Sequence, residues 1–130
     1  MQGCNRGCKG CHNPELASFE GGDELTPAKI LEVIIYLRER EAFFEVISFT
    51  GGDPLCNTIS EVSRLAEKLR EEFPTKEFWL FTGAERSELL FSLRYWFDVI
   101  KTGPYKEELK QEGFPASSNQ QLLYKGKDYL

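Results

Sequence analysis

The sequence predicts an α/β domain built on a parallel sheet. Three short apolar runs alternate with helical patterns, each run ends at a glycine, and no linker, repeat or low-complexity segment divides the 130 residues. The runs are Val46-Ile47-Ser48-Phe49, Phe78-Trp79-Leu80-Phe81 and Phe97-Asp98-Val99-Ile100. Continuous apolar runs of this length suit buried strands of a parallel sheet. Helices between them make βαβ units. One domain, residues 1–130, is expected, since a chain of this size hides roughly two thirds of its unfolded surface.

Taken in order, residues 3–23 are rich in Gly, Asn and polar side chains and read as a loop. Thr26 is an N-cap candidate with Pro27 at the first helical position, and Ile30, Val33, Ile34 and Leu37 carry a helix from about 27 to 41. The first strand ends at Gly51-Gly52. Thr58 and Glu61 form a capping-box pattern for a second helix, marked by Val62, Leu65, Ala66, Leu69 and Phe73 and stopped by Pro74. The second strand ends at Thr82-Gly83, a shorter helix is expected over 87–93, and the third strand ends at Lys101-Thr102-Gly103-Pro104. A last strand is expected over 121–124. Ligands of such sheets sit beyond the carboxyl ends of the strands. That rule gathers Gly51-Gly52-Asp53, Thr82-Gly83 and Lys101-Thr102-Gly103 on one rim.

The formal net charge is -5 and Lys and Arg are scattered among Glu, so nucleic-acid binding, which needs clustered cations, is not expected. No apolar stretch approaches the roughly 20 residues of a membrane span, and no signal-peptide pattern opens the chain. A cytoplasmic protein with reduced thiols is expected. In that setting three cysteines within eight residues read as a metal or redox site rather than as disulfides.

The string is Cys4-Asn5-Arg6-Gly7-Cys8-Lys9-Gly10-Cys11-His12. Three thiolates on one flexible loop can each face a different corner of a cubane, and Gly7 and Gly10 let the backbone fold around it. Four thiolates usually hold an iron–sulfur cluster, so three leave one iron open to a substrate. A zinc site using the three cysteines with Cys56 or His12 is the alternative. Gly51-Gly52 directly follows a strand and allows close approach of backbone to a ligand, Asp53 adds an acceptor for an ammonium, and Pro54 stiffens the turn. Cys56 reads as a small apolar filler. Phe78 to Phe81 reads as core.

The Cys-x-x-x-Cys-x-x-Cys loop resembles the signature of the radical S-adenosylmethionine superfamily, and Gly51-Gly52-Asp53-Pro54 is similar to its Gly-Gly-Glu-Pro motif. Within that superfamily the chain resembles the anaerobic ribonucleoside-triphosphate reductase activating proteins. The likeness rests on Cys11-His12-Asn13-Pro14-Glu15, Phe49-Thr50-Gly51-Gly52-Asp53-Pro54-Leu55, Phe78-Trp79-Leu80-Phe81-Thr82-Gly83, Asp98-Val99-Ile100 with Gly103, and Ser117-Ser118-Asn119-Gln120.

The resemblance implies a parallel-sheet partial (βα) barrel of radical SAM type. It implies a [4Fe-4S] cluster on Cys4, Cys8 and Cys11. S-adenosyl-L-methionine would lie against Gly10, Cys11, His12, Gly51, Gly52, Asp53 and Thr82, with His12 near the adenine. Ser117, Ser118, Asn119 and Gln120 are the candidate partner or substrate contacts. The implied activity is reductive cleavage of S-adenosylmethionine and formation of a glycyl radical on an anaerobic ribonucleoside-triphosphate reductase. A low-potential donor such as flavodoxin or ferredoxin would supply the electron. The other readings are an activase for a different glycyl-radical enzyme, of the formate acetyltransferase type, and a non-catalytic zinc or iron–sulfur binding module. One departure stands out: the family has a strand before the first cysteine, and only three residues precede Cys4. The expectation is that the chain lacks the first strand, either because an upstream segment is missing or because the sheet is open on that side. The cysteine loop would then be tethered at its C-terminal side only, giving a labile cluster and a chain that self-associates along an exposed apolar edge.

Overall fold

A 3-10 turn at Pro14–Leu16 comes first, and Thr26 then caps the first α-helix: its hydroxyl accepts the Lys29 N–H at 3.1 Å, and Pro27 at the first position has no N–H to satisfy. The computed structural model describes residues 1–11, 14–56, 59–89 and 91–129. Helix α1 (Pro27–Arg38) ends short of 41, because Arg40 leaves helical geometry at φ -116°, ψ 8° and a 3-10 turn takes over at Glu41–Phe43. Strand β1 (Val46–Phe49), helix α2 (Ile59–Glu72) and strand β2 (Glu77–Phe81) follow as expected. The capping residue proposed for α2, Thr58, lies outside the described residues.

The third helix differs from its expected span. Glu85 and Glu88 cap each other's backbone around a 3-10 turn at Arg86–Glu88, and Leu89 is extended at φ -77°, ψ 118°. Helix α3 therefore forms later, at Phe91–Trp96. Strand β3 (Val99–Thr102) also starts later than Phe97. The Asp98 carboxylate accepts the Phe78 N–H at 2.8 Å, where a strand carbonyl would otherwise sit, and pairs with Arg70 at 2.6 Å.

The sheet is four-stranded, in the order β1-β2-β3-β4, with β4 at Gln121–Tyr124. Phe49 lies beside Leu80, and Leu80 beside Ile100, in parallel register. The expected all-parallel sheet is corrected at its last strand: β4 runs antiparallel to β3, with Thr102 opposite Gln121. Parallel neighbours need a crossover, which α2 and α3 supply for the first three strands. Between β3 and β4 the chain offers only a 3-10 turn at Glu107–Leu109, so it returns antiparallel. Among the described residues the sheet is open, no strand precedes β1, and β1 and β4 are its edges.

Burial alternates along β1 and β2, whereas Val99 and Ile100 of β3 are both buried, so the expectation of buried strands is met in β3 and corrected in β1 and β2. Ile47, Phe49, Phe78, Leu80, Ile100 and Leu123 point to the helices and pack with Val62, Ala66, Leu69 and Leu93. Each such side chain contributes about 1.5–3 kcal/mol by leaving water. Trp79 and Phe81 point the other way and stay half-buried. They are therefore not core, as the apolar run suggested. On that second face Phe114 packs against both rings.

Candidate functional site

The chain up to Cys4 is laced to the rim. The Met1 nitrogen donates to Thr50 O at 2.6 Å, and Gly52 N–H donates to Met1 O at 2.8 Å. Gly3 N–H reaches Leu16 O at 2.8 Å, Cys4 N–H reaches Ala17 O at 2.9 Å, and Asp53 N–H reaches Gly3 O at 3.0 Å. The expectation of a cysteine loop held only at its far end is thus corrected: its N-terminal side is bonded to the rim as well. The turn after β1 presents its N–H and C=O groups to the segment that passes beside it.

These contacts also explain the glycine pair. Gly51 has φ +126°, and a side chain there would collide with the backbone of Met1. A Cβ on Gly52 would lie 2.5 Å from both Gly3 O and Leu16 O. The glycines therefore admit the chain's own first residues beside the cavity that they also line.

Asp53 is buried and holds three segments together. Its Oδ1 accepts Leu55 N–H at 2.9 Å and the Thr82 hydroxyl at 2.8 Å. Its Oδ2 accepts Gly83 N–H at 2.8 Å and Arg6 Nε at 2.5 Å. Thr82 in turn accepts Ala84 N–H at 3.1 Å. The carboxylate read from sequence as an acceptor for a ligand ammonium is thus engaged with the protein's own donors. It ties the cysteine loop, through Arg6, to the ends of β1 and β2.

Cys4, Cys8 and Cys11 line one cavity of about 620 Å³ together with Gly51, Gly52, Asp53 and Thr82. The sheet rim expected from topology is therefore one site. Gly10 turns the loop at φ +77° beside Glu107 and Tyr105. His12 and Asn13 lie outside the described residues. Phe81 and Phe114 form an aromatic wall, with ring centroids 5.3 Å apart. A volume of this size suits a small-molecule ligand.

Two lining residues escaped the sequence reading. Arg6 lies inside the cysteine string, but the carboxylate it meets is 47 residues away, so nothing local announced it. Lys101 was seen only as part of a strand end. It is half-buried on the cavity wall, where burial lowers its pKa against the opposing pull of Asp53 and Cys8. A cation at an inward strand position was the available signal. Cys56 departs from the filler reading: its thiol donates to Asn5 Oδ1 at 3.2 Å, and it stands near Cys4. Burial, with Cys56 and Asp53 close by, raises the Cys4 thiol pKa despite an opposing hydrogen bond from the Arg6 backbone.

Ser117, Ser118, Asn119 and Gln120 latch the returning chain to the end of β3. Ser117 Oγ accepts Lys106 N–H at 3.2 Å, Asn119 Nδ2 donates to Pro104 O at 2.8 Å, and Gln120 Nε2 donates to Gly103 O at 3.0 Å. Ser117 and Gln120 are buried, and Ser118 is exposed. Gln120 also reaches the cavity.

The 4Fe-4S single cluster domain family matches residues 1–123. An anaerobic ribonucleoside-triphosphate reductase-activating protein of Enterobacteria phage T4 is 30% identical over 131 residues, covering 98% of this chain and 82% of that protein. Proteins of the same description from Vibrio cholerae and Escherichia coli K12 are 30% and 29% identical over 126 residues, covering 92% of this chain and 81% and 82% of theirs. No solved structure matches significantly. Among the described residues no helix is long and apolar enough to cross a membrane.

Proposed function

Because this chain belongs to the 4Fe-4S single cluster domain family and to the anaerobic ribonucleoside-triphosphate reductase-activating proteins, we propose that it is a radical S-adenosylmethionine activase. It would bind one [4Fe-4S] cluster and S-adenosylmethionine and generate a glycyl radical on an anaerobic ribonucleoside-triphosphate reductase. The observation that carries the proposal is the sharing of one cavity by Cys4, Cys8, Cys11 and the strand-end turns at Gly51–Asp53 and Thr82. Three thiols from one short loop are the number that would leave one iron of a cubane open. Cys56 hydrogen-bonds Asn5 and need not serve as a fourth ligand. The open sheet and its rim fit the partial barrel expected of this chemistry.

When bound, the cluster and S-adenosylmethionine supply the low-potential electron and the cleavable carbon–sulfur bond. The protein's part is binding, orientation and exclusion of water. Cys4, Cys8 and Cys11 hold the iron. Asp53 acts through the groups it holds, keeping Arg6 and the Thr82 turn in place. Lys101 offers a cation to a cavity that would gather the negative charge of three thiolates. Phe81 and Phe114 give the cavity an apolar wall. The rim stays open, which suits a protein segment as substrate and a flavodoxin- or ferredoxin-type donor as electron source.

Anaerobic reconstitution with iron and sulfide tests the first part: Cys8→Ser should lose the cluster, and full cluster content in that variant would sink the ligand assignment. The second part is read by electron paramagnetic resonance. The reduced, loaded protein with S-adenosylmethionine should raise a glycyl-radical signal on an anaerobic ribonucleotide reductase. A signal only with formate acetyltransferase would move the protein to a different activase family.

A further inference from the structure

Cys4 and Cys56 lie 52 positions apart in sequence, yet their sulfur atoms and an Asp53 oxygen all fall within 4.8 Å of one another. Both cysteines sit on bonded backbone. Cys4 N–H donates to Ala17 O at 2.9 Å, and Cys56 N–H donates to Asp53 O at 3.0 Å. Cys56 ends the 3-10 turn Pro54–Cys56, whose first residue is buried, and its thiol is turned toward the cysteine loop by Asn5 Oδ1 at 3.2 Å. Both cysteines are half-buried, so a small oxidant can reach them. A metal ion on Cys4, Cys56 and Asp53 is less suited to this arrangement, because both Asp53 oxygens already accept hydrogen bonds from the protein.

We propose that Cys4 and Cys56 are a redox pair: in the iron-free chain a peroxide joins them in a disulfide, which shields Cys4 from irreversible oxidation until a dithiol reopens it. The step balances. One thiolate attacks the peroxide, the O–O bond breaks, and a sulfenic acid and one water form. The second sulfur displaces the hydroxyl, the S–S bond forms, and a second water leaves with the remaining proton. The two sulfurs together lose two electrons and the peroxide is reduced. Reopening is thiol–disulfide exchange, in which the dithiol closes to its own cyclic disulfide and returns both protein thiols. Without Cys56, a sulfenic acid on Cys4 is open to a second peroxide and passes to the sulfinic acid, which a dithiol cannot restore. The inference concerns the chain without iron and holds independently of the activity proposed above.

Tryptic mapping separates the candidates cleanly, because the four cysteines fall in four different peptides, 1–6, 7–9, 10–29 and 41–64. The full chain, iron-free and reduced, is treated anaerobically with one equivalent of hydrogen peroxide. The expected product has lost the mass of two hydrogens and links peptide 1–6 to peptide 41–64. After dithiothreitol it should take up iron and sulfide as fully as untreated protein. Cys56→Ser should reconstitute normally before peroxide. After three equivalents of peroxide, two of which a sulfinic acid consumes, and then dithiothreitol, it should carry sulfinic acid in peptide 1–6 and regain several-fold less iron than the wild type treated alike. A link between peptides 7–9 and 10–29 in place of the expected one would overturn the proposal, as would equal recovery of iron by the Cys56→Ser protein.

Discussion

Asp53 accepts hydrogen bonds from Arg6, Leu55, Thr82 and Gly83, each from a different direction. Removing a buried carboxylate leaves its donors without a partner, and such losses cost more than the bonds themselves contributed. Arg6 keeps some solvent contact, with 23% of its side chain exposed, which discounts the charge part of that cost. Asp53→Ala is therefore expected to lower stability by about 3 kcal/mol, at the lower end for a broken buried pair. Urea unfolding of the iron-free protein measures it, and a loss within experimental error would show that Asp53 does not hold the rim together. Thr82→Val keeps the shape and deletes the hydroxyl that bridges Asp53 and Ala84. It should cost about 1–2 kcal/mol in the same measurement, because the carboxylate keeps its other three donors.

The elements meet at the strand ends, and the contacts there are mostly backbone. The first residues bond to the turn after β1 and to the chain at 16–17, leaving no room for a side chain on Gly52. Gly52→Ala is expected to push the 1–4 segment off the rim, since the new methyl group meets carbonyl oxygens that cannot rotate away. The helices pack elsewhere, so circular dichroism should change little while cluster content after reconstitution falls several-fold. Normal cluster content in Gly52→Ala would mean that the loop tolerates displacement. Arg70 and Asp98 play a comparable part at the other end of the sheet. Arg70 donates to Asp98 at 2.6 Å and to Trp96 O at 3.1 Å, and its guanidinium lies 4.2 Å from the Phe78 ring centroid. This clamp starts β3 two positions beyond the apolar run's beginning.

At the scale of the whole molecule, the end of the chain is fastened to the core by Tyr129. Its hydroxyl donates to Phe97 O at 2.6 Å, and its ring is buried beside the sheet. Burial, and then the charge of Asp98, pushes the phenol well above its ordinary value of 10.0. Above that pH the unfolded chain gives up the proton while the folded chain keeps it, so the unfolded state binds fewer protons and stability falls as pH rises. The contribution is complete below pH 10 and is lost progressively above it. Tyr129→Phe is expected to cost about 1 kcal/mol at neutral pH through the lost hydrogen bond. It should also flatten the decline in stability above pH 10 relative to the wild type. Tyr105, pushed up to about 12 by its bond to Glu107, contributes to that decline in both proteins. Denaturant titrations at a series of alkaline pH values check the difference, and parallel curves would remove Tyr129 from the account.

Much of the site was legible in sequence, because its chemistry is carried by short strings. The cysteine spacing, the strand-ending glycines and the Thr26-Pro27 helix start are local patterns, and each depends on neighbours within a few residues. The strands were found for the same reason, and topology alone gathered their ends on one rim. What only the tertiary structure decided involves partners far apart in the chain. Arg6 meets Asp53, Cys56 stands beside Cys4, and the first three residues close against Gly51-Gly52. Apolar content could not tell a strand buried on both faces from one with Trp79 and Phe81 turned to a half-covered face, since hydrophobicity says that a side chain prefers burial but not which neighbour provides it. The reversal of β4 was hidden for a related reason: strand direction follows from the connection before it, and its backbone hydrogen bonds are available to any sequence that can extend.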